Sequence, residues 1–249
     1  MKYIALLSLI FLAACVQKPT RIYEKSTFHL QRPDLDSPIS EKTVIIDTRA
    51  PFDYLMAHVP RSLNLQWQEF TKNRAPFQGV LQEDLFFISR RLARLGIAPD
   101  SDVLVLGKGP QGDGEEGRLA WTLYYLGVKQ VRYASFETMK SGWSNQENEK
   151  PLENRPVWKP ELQESIAVTR EELTRYLGGR GYFKSEKIVE LPEDVILLDV
   201  SGRETSISNL AKKIEWKKFL NSEGRPDKKI LRDLRKHGIS PDKRILVLS

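Results

Sequence analysis

Of the residue types that do covalent, acid-base or metal chemistry, this 249-residue chain holds one cysteine, Cys15, and three histidines, His29, His58 and His237. One stretch has the look of a site: VLVLGKGPQGDGEEGRLAW, Val103 to Trp121, passes from an apolar strand through a glycine-rich loop into a helix. Within it Gly112-Asp113-Gly114-Glu115-Glu116-Gly117 satisfies G-x-G-x-x-G, the formal dinucleotide signature. That signature belongs at the first strand-helix turn of a Rossmann unit, whereas this one follows a late strand. Glu115 and Glu116 would also set two negative charges beside a pyrophosphate, against the field of the helix terminus. No Gly-Lys-Ser/Thr closes the loop, so it is not a Walker A loop. Tight turning before Arg118 is the plainer use of the glycines, and Lys108, Gly112, Gly114, Gly117 and Arg118 stand as a candidate weak anion site. There is no G-x-S-x-G, no H-E-x-x-H and no paired metal-ligand cluster, so neither hydrolase nor metalloenzyme chemistry has support, and no metal or cofactor is expected.

Cys15 stands at the end of a leader. Lys2 gives a short positive start, Tyr3 to Ala14 is apolar, and Gln17 and Lys18 end the run well short of the ~20 residues a transmembrane helix needs. Leu12-Ala13-Ala14-Cys15 resembles the lipobox of bacterial lipoproteins. The resemblance implies a signal peptide over residues 1–14, lipidation of Cys15, a tether over 15–27 and attachment to a membrane face. Val16 after the cysteine, rather than Asp, is compatible with an outer membrane facing the periplasm. Lipidation would consume the chain's one thiol and leave no disulfide and no cysteine-based site.

The elements that must position the loop emerge from comparing the chain with itself. Val44-Ile45-Ile46-Asp47-Thr48-Arg49 matches Ile196-Leu197-Leu198-Asp199-Val200-Ser201, Leu65 to Phe70 matches Ile214 to Phe219, and Leu95 through Leu106 matches His237 through Leu248. Three collinear matches mean a duplicated domain. In the first copy the short apolar runs Thr43 to Asp47 and Val103 to Leu106 read as strands buried on both faces of a parallel sheet. Leu85, Ile88, Leu92 and Leu95 recur at helical spacing with Gly96 at the C-terminus; Arg118 to Leu126 reads as a second helix ending at Gly127, followed by a strand over Val128 to Ala134. Residues 144–164, polar with three prolines, read as a linker, and Thr169-Arg170-Glu171-Glu172 as a capping box opening a helix of the second copy. Trp67 and Trp216, at matched positions, are read as core. The fold class is α/β.

Asp47-Thr48-Arg49 followed by Ala57-His58-Val59-Pro60-Arg61-Ser62-Leu63 resembles the rhodanese pattern, a D-x-R and then G-H-I-P-G-A before an apolar strand. The resemblance implies a three-layer rhodanese-like domain over residues 28–143 and a second, incomplete one over 165–249, in the tandem thiosulfate sulfurtransferase arrangement. Asp47, Arg49 and His58 are its motif residues, with His58 more readily structural than functional. In the second copy the corner is eroded, with Ser201 where Arg would be. Family chemistry places a cysteine directly after the strand that ends at Leu106, its persulfide anion steadied by loop N–H groups. Here that position is Gly107, and its counterpart is Ser249; neither bears a thiol. The second copy has no counterpart of the glycine loop, the following helix or the strand near Val131. In the strand order the family implies, that strand lies between the first and the fourth, so the second sheet is expected to have a gap or exposed edges that a protein partner would fill.

Between Lys212 and Arg244 there are 12 Lys/Arg against 5 Asp/Glu, an excess larger than the whole chain's +6. Solvated helix faces account for it, with anionic lipid a more available partner than nucleic acid for an exported protein. The expectation is a lipid-anchored, extracytoplasmic envelope protein with a catalytically degenerate tandem rhodanese-like body that binds or scaffolds. Sulfur transfer remains the alternative if the natural chain continues past Ser249 and supplies a cysteine, and weak anion or phosphate binding at Gly107 to Arg118 is a further one.

Overall fold

The computed structural model describes residues 39–74, 79–142, 153–168, 191, 193–201, 210–240 and 242–248. Cys15, the leader and tether, the Thr169 capping box and Ser249 lie outside them.

In the first half, β1 (Val44–Asp47), β2 (Leu63–Asn64), β3 (Asp102–Gly107) and β4 (Gln130–Ser135) form an all-parallel sheet in the order β2-β1-β3-β4. Every residue of β1 is buried, which explains why the strand reads as an unbroken apolar run. Side chains alternate between two faces. Val44, Ile46, Val103, Val105 and Val131 join the larger cluster with Ile88, Leu92, Leu119 and Leu123. Ile45, Leu104, Leu106 and Ala134 look the other way, onto Val59 and Phe136.

The larger cluster is roofed by α2 (Leu85–Arg94) and α3 (Glu115–Tyr125). Asp84 caps α2 by accepting from the N–H of Phe87. Both helices end alike: Gly96 (φ +79°) and Gly127 (φ +106°) turn left-handed, and the N–H groups of Ile97 and Val128 reach back to the carbonyls of Leu92 and Leu123. α3 begins three residues earlier than the apolar pattern indicates, taking Glu115, Glu116 and Gly117 into its first turn. The opposite face is covered, among the described residues, by shorter elements. There α1 (Pro51–Met56) contributes no buried residue, and the cover comes from Val59 and from Phe136 and Met139 of the 3-10 helix Phe136–Gly142. Phe52, Leu55 and Met56 are all exposed.

The second half repeats the first at the level of register. β5 (Val195–Asp199) pairs in parallel with β6 (Lys212–Lys213) and β7 (Arg244–Leu248). Asp199 stands opposite Leu248 and Lys213, as Asp47 stands opposite Leu106 and Asn64. Single-turn 3-10 helices follow at Trp67–Phe70 and Trp216–Phe219. After α4 (Lys228–Asp233) and a further short turn, Gly238 (φ +72°) repeats the left-handed ending, with Ile239 donating to Leu234. The core here is small, built on Leu198, Ile214 and Ile239. Among the described residues no strand pairs with the outer edge of β7, where Ile245 and Val247 are exposed.

The segment read as a linker is partly fastened down. Arg155 donates its N–H to Ala93 and a forked pair of hydrogen bonds to Asp100; Trp158 donates from Nε1 to the carbonyl of Ile97, and Gln163 from its N–H to Tyr125. Trp158 and Leu162 pack on the larger cluster of the first half. Residues 153–168 therefore strap the C-terminal ends of α2 and α3, satisfying helix carbonyls that would otherwise need water.

Candidate functional site

The loop of interest starts where β3 ends. Thr48 donates both its N–H and its hydroxyl to the carbonyl of Leu106, fixing the end of β1 against the end of β3. The chain then passes Gly107, makes a 3-10 turn at Gly109–Gln111, reverses at Gly114 (φ +81°) and enters α3. Gly109 (φ +57°) and Gly114 use the left-handed freedom of glycine, as expected for a loop that turns tightly.

Gly107 is excluded from bearing a side chain by Glu116. A β-carbon on Gly107 would lie 2.8 Å from Cδ and 2.9 Å from Cβ of Glu116, with Oε2 nearer still. Glu116 is 1% exposed, a rare burial for a carboxyl group. Burial pushes it up to about 7, with the charge of Glu115 adding, while the backbone N–H groups of Glu116 itself and of Gly109 oppose the rise by holding the charged form. Oε2 has no hydrogen-bond partner. Tyr133 of β4 is pushed up to about 12 by its own burial and, secondarily, by the charge of Glu116. Glu115 folds back over the loop too, accepting from the N–H of Asp113. The positive end of α3 is thus served from within the chain.

The candidate anion residues do not converge. Lys108 turns to Asp53 of α1, 3.0 Å away, and the guanidinium of Arg118 lies 4.7 Å over the ring of Trp67. Gly112 is packed against Cβ of Lys108 and the carboxylate of Glu115, Gly114 is the N-cap, and Gly117 sits within α3 facing open space. An anion site assembled from these five is not what the fold builds, because the two cations are committed elsewhere and two carboxylates fill the loop.

The motif residues Asp47, Arg49 and His58 make a corner. Asp47, with no exposure, takes a forked interaction from Arg49, whose NH2 also donates to the carbonyl of Ala57 while its guanidinium stacks 3.3 Å from the ring centroid of Phe136. That single guanidinium ties β1, the end of α1 and the turn after β4 together. His58 is buried, stacked on Tyr54, its Nδ1 2.9 Å from the carbonyl of Tyr54. In the second half Ser201 replaces the arginine with a short substitute, its N–H and hydroxyl both donating to Asp199.

A seal from the second half was not foreseen from the sequence. The N–H of Ser135, the residue paired with Gly107, donates to the carbonyl of Glu223. Gly224 (φ +69°) comes so close that a β-carbon there would lie 2.9 Å from N of Ser135 and 3.1 Å from Cα of Gly109. Trp216, read as core of its own half, instead sets its ring against Gly114. Glu116 was equally hidden as a site residue. Its one sequence signal is a carboxylate in the first turn of a helix whose preceding strand ends in glycine. Among the described residues no group of three or more His, Cys, Asp or Glu is placed to hold a metal.

Comparison with known proteins puts these observations in a family. The model of the rhodanese-like domain matches residues 32–136. No curated protein sequence matches the chain. Among solved structures the chain is similar to SseA from Escherichia coli, described by its rhodanese fold and as a 3-mercaptopyruvate sulfotransferase, with 16% identity and a TM-score of 0.62 over 84% of this chain and 82% of that one. It is similar to YnjE with 16% identity and a TM-score of 0.61, over 84% of this chain and 53% of the other. An anaerobic ergothioneine biosynthesis enzyme from Chlorobium limicola, in complex with trimethyl histidine, is similar with 15% identity and a TM-score of 0.55, over 85% and 56%. At such identities the likeness is one of fold, and the chain spans about half the length of the latter two.

Proposed function

Residues 32–136 are a rhodanese-like domain, and from that premise we propose that the domain serves this chain as a binding and scaffolding module without sulfur chemistry of its own. One observation carries the reading: the position of the family nucleophile is Gly107, and the space its side chain would take holds the buried carboxyl of Glu116. Function is argued from the site and not from the fold, and a site filled by its own glutamate has no reacting atom to offer. Lipidation at Cys15 would hold this module at an extracytoplasmic membrane face of a bacterial envelope. The support for that part is the leader and the Leu12-Ala13-Ala14-Cys15 sequence. No helix among the described residues is long and apolar enough to cross a membrane.

A second reading has its own support. The likeness to SseA extends over both halves, and β7 runs beside β5 in the register in which β3 runs beside β1. Sulfur transfer would then belong to a cysteine placed just after β7 in a longer natural chain.

Protein purified from its own membrane separates the two. Scaffolding expects a lipid-bearing mass that starts at Cys15, no cyanide-labile sulfur and no turnover of thiosulfate or mercaptopyruvate with cyanide. A persulfide that cyanide removes would overturn it in favour of the second reading, and a mass without lipid would remove the anchor.

A further inference from the structure

The apolar stripe of α1 points away from the protein. Phe52, Leu55 and Met56 stand at the i, i+3, i+4 spacing that ordinarily turns such a stripe onto a core. Here they are 72, 67 and 63% exposed, and α1 buries no residue at all. Its polar side faces inward instead. Asp53 meets Lys108 at 3.0 Å, the Tyr54 hydroxyl donates to the carbonyl of Ser62 at 2.7 Å, and the Tyr54 ring stacks on buried His58. Just past the helix, Arg49 holds the carbonyl of Ala57. Among the described residues, the other exposed Phe and Trp side chains sit on helices that bury a stripe of their own: Phe86 and Phe87 on α2, with Ile88 and Leu92 inside, and Trp121 on α3, with Leu119 and Leu123 inside.

We infer that α1 docks on a phospholipid surface, with Phe52, Leu55 and Met56 entering the interfacial layer while Asp53 and Tyr54 keep the helix fixed to the domain, an inference that rests on the lipid anchor of the reading above. The anchor brings the body to a bilayer, and α1 sets which face of the first half lies against it. Size favours lipid over a protein partner. Six residues make a helix about 9 Å long, too small by itself for the ~800 Å² per side that a specific protein contact buries. A bilayer needs no matching groove, and it takes up the apolar face of a helix lying in its plane. Charge agrees with this occupant. Lys108 offsets Asp53, so the one carboxylate of α1 is matched before it meets anionic headgroups.

The test uses protein purified from its own membrane and reconstituted with vesicles of phosphatidylethanolamine and phosphatidylglycerol. A thiol-reactive fluorophore is placed on Leu55→Cys or, as a control at another exposed apolar position, on Phe86→Cys. Since the chain has one cysteine of its own, lipidation of Cys15 leaves the introduced thiol as the single target. Lipids brominated along their acyl chains are expected to quench the label on Leu55→Cys about twofold, as for a side chain seated at the headgroup-acyl boundary, and to leave the label on Phe86→Cys unquenched. Adding Phe52→Ser and Met56→Ser to Leu55→Cys is expected to abolish the quenching without moving the unfolding temperature, because α1 packs none of its residues into the core. Equal quenching at both labels, or at neither, overturns the inference. A label on Leu55→Cys that is shielded from aqueous iodide yet untouched by brominated lipid gives the face to a second copy of the chain, and overturns it as well. Two labelled cysteines, seen by mass, would remove the lipid anchor of the reading above, while the comparison of the two labels on vesicle-bound protein still reads the face.

Discussion

A carboxyl group that stays protonated to neutral pH inside a folded domain links stability to pH through one residue. Glu116 is raised by burial to about 7, above its ordinary 4.5. Below about 4.5 the group is protonated in both folded and unfolded chains and costs nothing extra. Between about 4.5 and 7 the unfolded chain releases the proton and the folded one keeps it, so stability falls as pH rises, by about 3 kcal/mol in all, and then levels off. Glu116→Gln keeps the shape and removes the titration. Its unfolding free energy is expected to change less between pH 5 and pH 8 than the wild type's, with the largest gain over wild type at pH 8. Denaturant titrations at the two pH values read this, and parallel changes in both proteins would place the linkage elsewhere. Asp47, Arg49 and His58 could be singled out in the sequence, and the fold brings Asp47 and Arg49 together in one buried corner with the carbonyl of Ala57, next to His58. Glu116 could not, because a carboxylate in a helix's first turn ordinarily faces water, whereas this one packs into the space beside Gly107 at the end of β3.

At the scale of the element, strands and helix ends were written in the chain, since the double-sided burial of β1 and β3 and the left-handed turns at Gly96 and Gly127 leave direct marks on residue type. Less legible were the start of α3, where charged residues hide three helical positions, and the strap over residues 153–168, whose prolines and charges read as linker while Trp158 and Arg155 anchor it. The glycines of the loop differ in what they are for, a difference invisible to a G-x-G-x-x-G match. Gly114 needs its positive φ to cap the helix, whereas Gly117 is helical and a β-carbon on it meets nothing within 4 Å. Gly117→Ala is therefore expected to stabilise the protein by about 0.5–1 kcal/mol through reduced freedom of the unfolded chain. A loss of stability in chemical denaturation would show that Gly117 is kept for a close approach that the packing of α3 does not reveal.

For the whole molecule, the duplication gives two equivalent turns that do different work. In the first half, the turn after Thr71 returns to bridge at Leu81 and contains Gly79 (φ +83°), whose nearest neighbour for a β-carbon is the Trp67 ring at 3.8 Å. In the second, the turn between Leu220 and Pro226 contains Gly224 (φ +69°), and a β-carbon there would press on the backbones of Ser135 and Gly109. An alanine at either site pays the left-handed penalty of about 1–2 kcal/mol. Only at Gly224 must two backbones also part, since the neighbours are N and Cβ of Ser135 and Cα of Gly109, atoms that no rotamer change can move. Gly224→Ala is accordingly expected to destabilise more than Gly79→Ala, and to speed amide exchange at Ser135, whose N–H is held by the carbonyl of Glu223. Exchange in the loop from Gly107 to Gly114 should quicken with it, because the same contact seals that loop. Gly79→Ala should leave both protected. If the two variants lose stability equally and Ser135 exchanges at the wild-type rate in each, the contact between Gly224 and Ser135 does not lock the first half.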